Sequence, residues 1–139
     1  LVEIRGERAF ESVLAQAKSD LETAQLPTAK SELQEAIRDL SRRPEPDLTG
    51  AVHHAMAALE CVAREVTGDS KHTLGEIVSR NPGLFPKPID DVISKSWGYS
   101  SETARHAREG REIGHAEVQL IVGLAAVLSS YLVFKLRLE

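Results

Sequence analysis

Apolar residues recur at three- and four-residue steps through most of this chain, which is the pattern of amphipathic helices. The first stripe predicts a helix from Glu7 to about Gln25, ended by Pro27. A second helix is predicted to begin with Thr28 as its cap and to stop at the proline-containing segment 42–46. The apolar positions of the two helices are Phe10, Val13, Leu14, Ala17 and Leu21, then Leu33, Ile37 and Leu40. Segment 42–46 is therefore the best internal boundary.

A third helix is predicted from a cap at Asp47 or Thr49 to about Val66, closed by residues 67–69. At 100° per residue its positions divide into an apolar arc and a polar face. The apolar arc contains Val52, Ala55, Met56, Leu59, Val62, Ala63 and Val66, and the polar face contains His53, Glu60 and Arg64. One side of this helix is therefore core. Glu60 and Arg64 are four residues apart and predict a surface ion pair.

The second half of the chain predicts shorter elements before one long final helix. Short helices are expected around 73–79 and 89–97, and a separate helix from residue 100 or 101. The final helix is predicted from His115 to about Leu136. Its segment 118–134 contains no charge but falls short of the roughly 20 residues that span a bilayer, so a buried central helix is expected. Small groups form a seam that packs either inside the domain or across a dimer: Gln119, Gly123, Ala126 and Ser130.

These elements predict an all-α fold, an antiparallel bundle of four to five main helices with short helical connectors. The hydrophobic content of 42% with only 4% aromatic residues fits helices packed through Ala, Leu, Val and Ile. We expect one compact domain, in which residues 1–43 form a helical pair packed on the core formed by residues 44–139. The chain begins at Leu1 instead of Met, and Leu138-Glu139 resembles a remnant before a purification tag. Both ends indicate a domain of a larger protein.

Charge and cysteine content narrow the possible functions. The net charge of −4 and pI near 5.8 argue against a general nucleic-acid binder, so any RNA contact must be local. The single Cys61 excludes an internal disulfide, and the start of the chain lacks a signal-peptide pattern, so a cytoplasmic location is expected. His54 and Cys61 share a helix face, but two ligands do not make a metal site. No metal or cofactor is predicted, and no membrane partner.

The segment 105–115 concentrates the reactive side chains of this sequence. It contains three arginines and two histidines: Arg105, His106, Arg108, Arg111 and His115. Arginine binds phosphate through two parallel hydrogen bonds and histidine moves protons near neutral pH, so together they are the minimum set for metal-free RNA cleavage. The same alternation of arginine with glutamate is equally typical of a solvated connection between helices. Trp97 and Tyr99 could stack on a base, although aromatic residues more often fill a core, here beside Phe85.

Several short motifs in order resemble the HEPN superfamily, most closely the C-terminal domains of bacterial abortive-infection proteins. They lie between about residues 47 and 136. They are Asp47 to Ala55, Ala58-Leu59-Glu60, Lys71 to Ile77, Trp97-Gly98-Tyr99, Ala104-Arg105-His106, Ala116-Glu117 and Ser130-Tyr131-Leu132. The resemblance implies a helical bundle that commonly dimerises. A homodimer through the bundle, RNA, and other domains of a larger protein are therefore the expected partners.

The resemblance also implies a catalytic pattern, an arginine followed after four to six residues by a histidine at the head of the last helix. Arg108 and His115 fit this spacing, whereas Arg111 is too close and Arg105 too far. In the abortive-infection branch the histidine often lies earlier, and the matching residue is His106. No arginine lies four to six residues before His106, so with that assignment the pattern is degenerate. Both assignments stay open.

Two functions follow from these patterns. The resemblance implies a phage-defence or toxin-type endoribonuclease that needs no metal and leaves 2′,3′-cyclic phosphate ends. In that case His115 or His106 is the general base, and Arg108, helped by Arg105 or Arg111, stabilises the phosphate. The alternative is a non-catalytic module for dimerisation or ligand sensing within a larger multidomain protein.

Overall fold

The structure, a computed structural model, describes residues 5–138, with the side chains of residues 8–137. Within that range the chain forms no strand, which confirms the predicted all-α class. The elements number six when the short fourth helix is counted. They are α1 (Arg5–Thr23), α2 (Pro27–Ser41), α3 (Leu48–Thr67), α4 (Leu74–Arg80), α5 (Ile89–Arg108) and α6 (His115–Leu138). The suggested tag remnant, Leu138-Glu139, lies at and beyond the last described residue.

Helix α3 is the centre of the bundle. It packs along α2 on one side and along α6 on another, and α5 and α4 contact it as well. Helix α1 packs mainly against α6 and also against α2. Side chains from every helix are fully buried between them, including Leu21, Leu33, Leu59, Ile77, Ile93 and Leu132. The core is thus aliphatic, as the composition predicts.

The predicted role of Pro27 as the end of the first helix is wrong. Helix α1 ends at Thr23, and the amide of Leu26 closes the turn on the carbonyl of Leu21 at 3.0 Å. Pro27 is instead the first residue of α2. Proline is favoured there because the first amides of a helix have no intrahelical acceptor, and its fixed φ suits the helix. Thr28 is accordingly inside α2 and is not its cap.

Asp47 caps α3, as one of the two predicted alternatives. Its Oδ1 accepts a hydrogen bond from the amide of Gly50 at 2.9 Å. A side chain at position 50 would bring a Cβ within 2.4 Å of Asp47 Oδ2, so the capping carboxylate would have to shift to make room for it. The helix ends at Gly68, whose φ of 76° is readily adopted by glycine. Both ends of α3 are therefore fixed by local chemistry.

Replacing Asp47 by alanine is expected to lower the free energy of unfolding by about 1 kcal/mol, because the Gly50 amide loses its acceptor. Asp47→Asn keeps an oxygen in place and is expected to lose much less. Urea unfolding followed by circular dichroism measures both. Equal losses in the two variants would show that the carboxylate acts through its charge and not through the cap.

The prediction of separate helices at 89–97 and from residue 100 or 101 is wrong. Both belong to one continuous helix, α5, which passes through Gly98 without a break. The hydroxyls in this stretch donate to carbonyls four residues earlier: Ser100 to Ser96 (2.9 Å), Ser101 to Trp97 (3.2 Å) and Thr103 to Tyr99 (3.0 Å). Serine and threonine hydroxyls bonded in this way have their hydrogen-bond partner inside the helix, so they do not act as caps at its end.

Helix α6 begins at His115 as predicted, but the expectation of a buried central helix is only partly right, because one face of α6 is buried and the other exposes Leu120, Val127 and Phe134. It is the single helix in the described range long and apolar enough to cross a bilayer, over His115–Arg137. Half of its most apolar window is buried inside the protein. The seam of small residues packs inside the domain, because Gly123 faces Phe10 of α1 and Ala126 is buried.

Candidate functional site

The segment 105–115 is divided by the end of α5. The amide of Arg111 donates to the carbonyl of His106 at 2.8 Å, and Gly110 takes a φ of 82° between them. This is the turn geometry that commonly closes a helix with glycine just past its end. Residues 111–114 then lead to the first turn of α6. The arginines and histidines of the segment therefore occupy two helices and a connection.

Three of these side chains lie beside glutamates. The Arg105 guanidinium bonds to the Glu102 carboxylate, and His106 Nε2 lies 3.6 Å from the same Glu102 Oε2. Arg111 forms an ion pair with Glu109, with Arg111 Nη2 2.7 Å from Glu109 Oε1. The side chains in these pairs are largely exposed, and exposed ion pairs add little stability. Each arginine nevertheless already has a carboxylate partner.

Arg108 differs from its neighbours because it lines a cleft and has no ion pair with any described residue. The cleft lies between α3 and α5 and has a volume of about 320 Å³. Its floor is apolar and its rim carries hydroxyl, imidazole, carboxylate and guanidinium groups. The lining residues are Thr49, Val52, His53, Met56, Ala57, Glu60, Trp97, Ser100, Ser101, Thr103, Ala104 and Arg108.

The two ends of this α3–α5 cleft have different chemistry. Trp97 packs over Gly75, and Glu60 accepts a hydrogen bond from the amide of Leu74 at 3.0 Å, so both lie at the end next to α4. Glu60 also pairs with Arg64 at 2.9 Å, which confirms the predicted ion pair and neutralises that carboxylate. Arg108 is eleven residues further along α5, about 16 Å away at the helical rise. An aromatic face and a free guanidinium thus occupy opposite ends of one cleft.

His115 lines a second cleft of about 420 Å³, formed by α1, α2, α6 and the α2–α3 connection. Its polar neighbours in this cleft include Glu11, Arg43 and Gln119. Arg108 does not line this cleft, and His115 does not line the α3–α5 cleft. The structure therefore does not bring the two residues of the expected pair into one cleft. The histidine that shares a cleft with Arg108 is His53.

His53 is the residue that sequence reasoning missed. The helical periodicity of α3 correctly puts it on the polar face, but it does not reveal which helix covers that face. His53 is exposed, and its ring meets the ring of His54 edge to face at 5.2 Å between centroids. Its position opposite α5 follows from the packing of α5 on α3, and His53 is 55 positions from Arg108 in the sequence. No short-range pattern carries that information.

The other candidates have structural partners. His54 Nδ1 lies 2.7 Å from Glu32 Oε2, and its Nε2 lies 3.7 Å from Asp39 Oδ2 on the same helix α2. Burial, and next the Glu32 carboxylate, raise the pKa of the Cys61 thiol, which makes it a poor nucleophile at neutral pH. Within the described range, no group of three or more His, Cys, Asp or Glu residues has metal-binding geometry.

The aromatic residues divide between core and surface. Trp97 is partly buried against the core and also lines the α3–α5 cleft. Tyr99 is exposed and lies on another side of α5. Phe85 is buried and stacks on Tyr131 of α6 at 5.8 Å between ring centroids. The expected cluster of Trp97 and Tyr99 beside Phe85 is therefore wrong for Tyr99.

The turn between α3 and α4 contains the most strongly perturbed carboxyl group. Asp69 accepts hydrogen bonds from the amides of Lys71 (2.9 Å) and His72 (3.1 Å), and its Oδ2 lies 2.7 Å from His72 Nδ1. The Lys71 amide, followed by the His72 ring and amide, lowers the pKa of Asp69 to about 2. This turn holds the start of α4, which bounds one end of the cleft.

The lowered pKa of Asp69 predicts a loss of stability in acid. Its contribution is fully present above the ordinary aspartate pKa near ~4 and is lost as pH falls toward the folded value. In Asp69→Asn the slope of unfolding free energy against pH between ~4 and ~2 is expected to be shallower than in the wild type. Urea unfolding across that pH range measures the slopes. Identical slopes would contradict the assignment.

No family model, curated protein or solved structure matches this chain.

Proposed function

We propose that this chain is a HEPN-like helical module that binds a phosphate-bearing ligand of the single-stranded RNA class in the α3–α5 cleft. One observation carries the proposal. Arg108 is the arginine of its cluster that lines a cleft and has no carboxylate partner among the described residues, whereas Arg105 and Arg111 are paired with glutamates. A free guanidinium beside a partly apolar cleft is suited to a ligand with a phosphate and a flat ring.

The remaining lining residues support this ligand class. A base can stack on Trp97 at the far end, because aromatic side chains bind bases of any sequence through their faces. Ser100 and Ser101 line the cleft between Trp97 and Arg108, and their hydroxyl oxygens can accept hydrogen bonds from a sugar. Since the chain is acidic overall, binding depends on this local set and is expected to weaken with salt.

Metal-independent RNA cleavage is the second candidate, and the presence of His53 in the same cleft favours it. A neutral imidazole would take the proton of a ribose 2′-hydroxyl. The 2′-oxygen would then form a bond to phosphorus while the bond from phosphorus to the 5′-oxygen breaks, and that oxygen would take a proton from an acid or water. Arg108 would stabilise the charge on the phosphoryl oxygens, and a 2′,3′-cyclic phosphate would result. A phage-defence or toxin-type role belongs to this version.

The test uses a short fluorescein-labelled single-stranded RNA in excess chelator, with binding read by anisotropy and cleavage by gel. Binding without cleavage is the expected result for the module. Cleavage that disappears in His53→Ala would assign the nuclease to the α3–α5 cleft, and cleavage that disappears in His115→Ala or His106→Ala would assign it to the residues suggested by the sequence. Absence of binding and of cleavage by a folded wild type would contradict the proposal. Circular dichroism of each variant controls for folding.

A further inference from the structure

The turn between α3 and α4 contains an imidazole that the α3–α5 cleft does not use. His72 Nδ1 lies 2.7 Å from Asp69 Oδ2, and the amide of His72 donates to Asp69 Oδ1 at 3.1 Å. From the other side, the Arg64 guanidinium donates to the His72 carbonyl at 3.1 and 3.3 Å. The half-buried His72 is thus fixed by its ring, its amide and its carbonyl, as the positioning of a binding group requires.

The contact with Asp69 determines which nitrogen of the His72 ring is available. The pKa of Asp69 is lowered to about 2, chiefly by the Lys71 amide, so its carboxylate is ionised at neutral pH and can only accept hydrogen bonds. Nδ1 of His72 must therefore carry the hydrogen between the two side chains. Nε2 has no partner among the described residues, and it is the nitrogen left for a ligand.

Two cations line the same cleft as His72. This α3–α4 cleft has a volume of about 420 Å³ and is lined by Thr67, Gly68, Asp69, Ser70, Lys71, His72, Arg80 and Asn81. Lys71 and Arg80 are exposed, and neither forms an ion pair with a described residue. Asp69 is the single carboxylate among the lining residues, and it already accepts from two amides and the His72 ring. The cleft is therefore locally positive in a chain whose net charge is −4.

The next carboxylate along the chain does not cancel this charge. Glu76 belongs to the capping box of α4, in which its Oε1 accepts from the amide and the hydroxyl of Thr73, both at 3.0 Å. It does not line the α3–α4 cleft. Lys71, Arg80 and the His72 Nε2 thus remain available to an anion from solvent.

We propose that the α3–α4 cleft binds a small phosphomonoester through its terminal phosphate. Arginine presents a fork of N–H donors and lysine a point charge, and both bind phosphate oxygens in proteins. Histidine adds a feature that selects the monoester. A phosphomonoester loses its second proton near pH ~6 and histidine titrates near ~6.5, so one proton can be shared between a phosphate oxygen and the ring. A carboxylate or a phosphodiester is already ionised at that pH and brings no such proton.

Each available group of the cleft has a place in this complex. Nε2 of His72 shares the proton with one phosphate oxygen, and Lys71 and Arg80 balance the charge on the others. The exposed Ser70 hydroxyl is available to the organic part of the ligand. A volume of about 420 Å³ falls within the roughly 300–1,000 Å³ of small-molecule sites, which suits a sugar phosphate or a mononucleotide.

The first measurement is isothermal titration calorimetry of the whole chain with ribose 5-phosphate. Saturable binding is expected, and Arg80→Gln is expected to weaken it at least tenfold, because a charge-assisted phosphate contact is lost. The matched control is Arg38→Gln, since Arg38 is also an exposed arginine in the last turn of a helix but lies on α2, outside this cleft. No saturable heat up to ~10 mM ligand, or equal weakening by the two variants, would overturn the proposal.

Dimethyl phosphate tests the class of ligand. It is a diester with one charge and no proton that titrates near neutral pH, so it is expected to bind at least tenfold more weakly than ribose 5-phosphate. In His72→Gln, checked for folding by circular dichroism, this preference is expected to shrink to less than about threefold, because glutamine exchanges no proton. Equal affinity of the wild type for the two compounds, or an unchanged preference in His72→Gln, would contradict the inference.

This inference does not depend on RNA binding in the α3–α5 cleft, because the two clefts share no lining residue. Arg108→Gln is therefore expected to leave the affinity for ribose 5-phosphate unchanged. Loss of ribose 5-phosphate binding in that variant would place the phosphate in the α3–α5 cleft and overturn the inference.

Discussion

Arg108→Gln is expected to weaken binding of single-stranded RNA by about tenfold, equivalent to about 1.4 kcal/mol, because one charge-assisted phosphate contact is lost. The slope of log affinity against log salt is expected to fall by about 0.7, as for one phosphate contact fewer on a single strand. Fluorescence anisotropy with a labelled oligonucleotide at several salt concentrations measures both quantities.

Arg105→Gln is the matched control for that experiment. Arg105 is the same residue type, lies one turn earlier on the same helix and is exposed, but it is paired with Glu102 and does not line the cleft. Each of the two substitutions removes one positive charge, so the change in net charge is the same. Similar losses of affinity in both variants would indicate that RNA responds to overall charge and not to the cleft.

Leu59→Ala is expected to lower the free energy of unfolding by about 3–5 kcal/mol. Leu59 is fully buried in α3, the helix that packs against α2 and α6, and its truncation leaves a cavity in the centre of the bundle. Chemical denaturation measures the loss. Leu136→Ala removes the same atoms from an exposed position of α6 and is expected to change stability by less than about 1 kcal/mol. A small effect of Leu59→Ala would contradict the central place of α3.

The helices that were correctly predicted are those with a clear apolar stripe and a local end signal. Helix α3 has both, since Asp47 and Gly68 close it as their residue types suggest. The errors at Pro27 and at Ser100 have a common cause. Proline can either end one helix or begin the next, and serine can either cap a helix or bond within it. Tertiary packing decides which of these two roles the proline or the serine takes. The neighbouring residues alone do not determine it.

The candidate site shows a similar limit. The sequence identified Arg108 and a cluster of reactive side chains, because arginine and histidine are informative by residue type. It could not assign them to clefts, since the turn at Gly110 separates α5 from α6 and directs His115 toward α1 and α2. The cleft partners of Arg108 come from α3 and from the middle and second half of α5. Those contacts depend on how helices pack, which residue spacing does not determine.

Titration of Trp97 fluorescence is the most direct test of ligand binding in the α3–α5 cleft. Trp97 is the only tryptophan of the chain and lines the cleft together with Arg108. Addition of single-stranded RNA is expected to quench or shift its emission with a saturable curve, and Arg108→Gln is expected to require about tenfold more RNA. Unchanged emission at RNA concentrations that saturate anisotropy would show that RNA binds elsewhere and would contradict the proposed site.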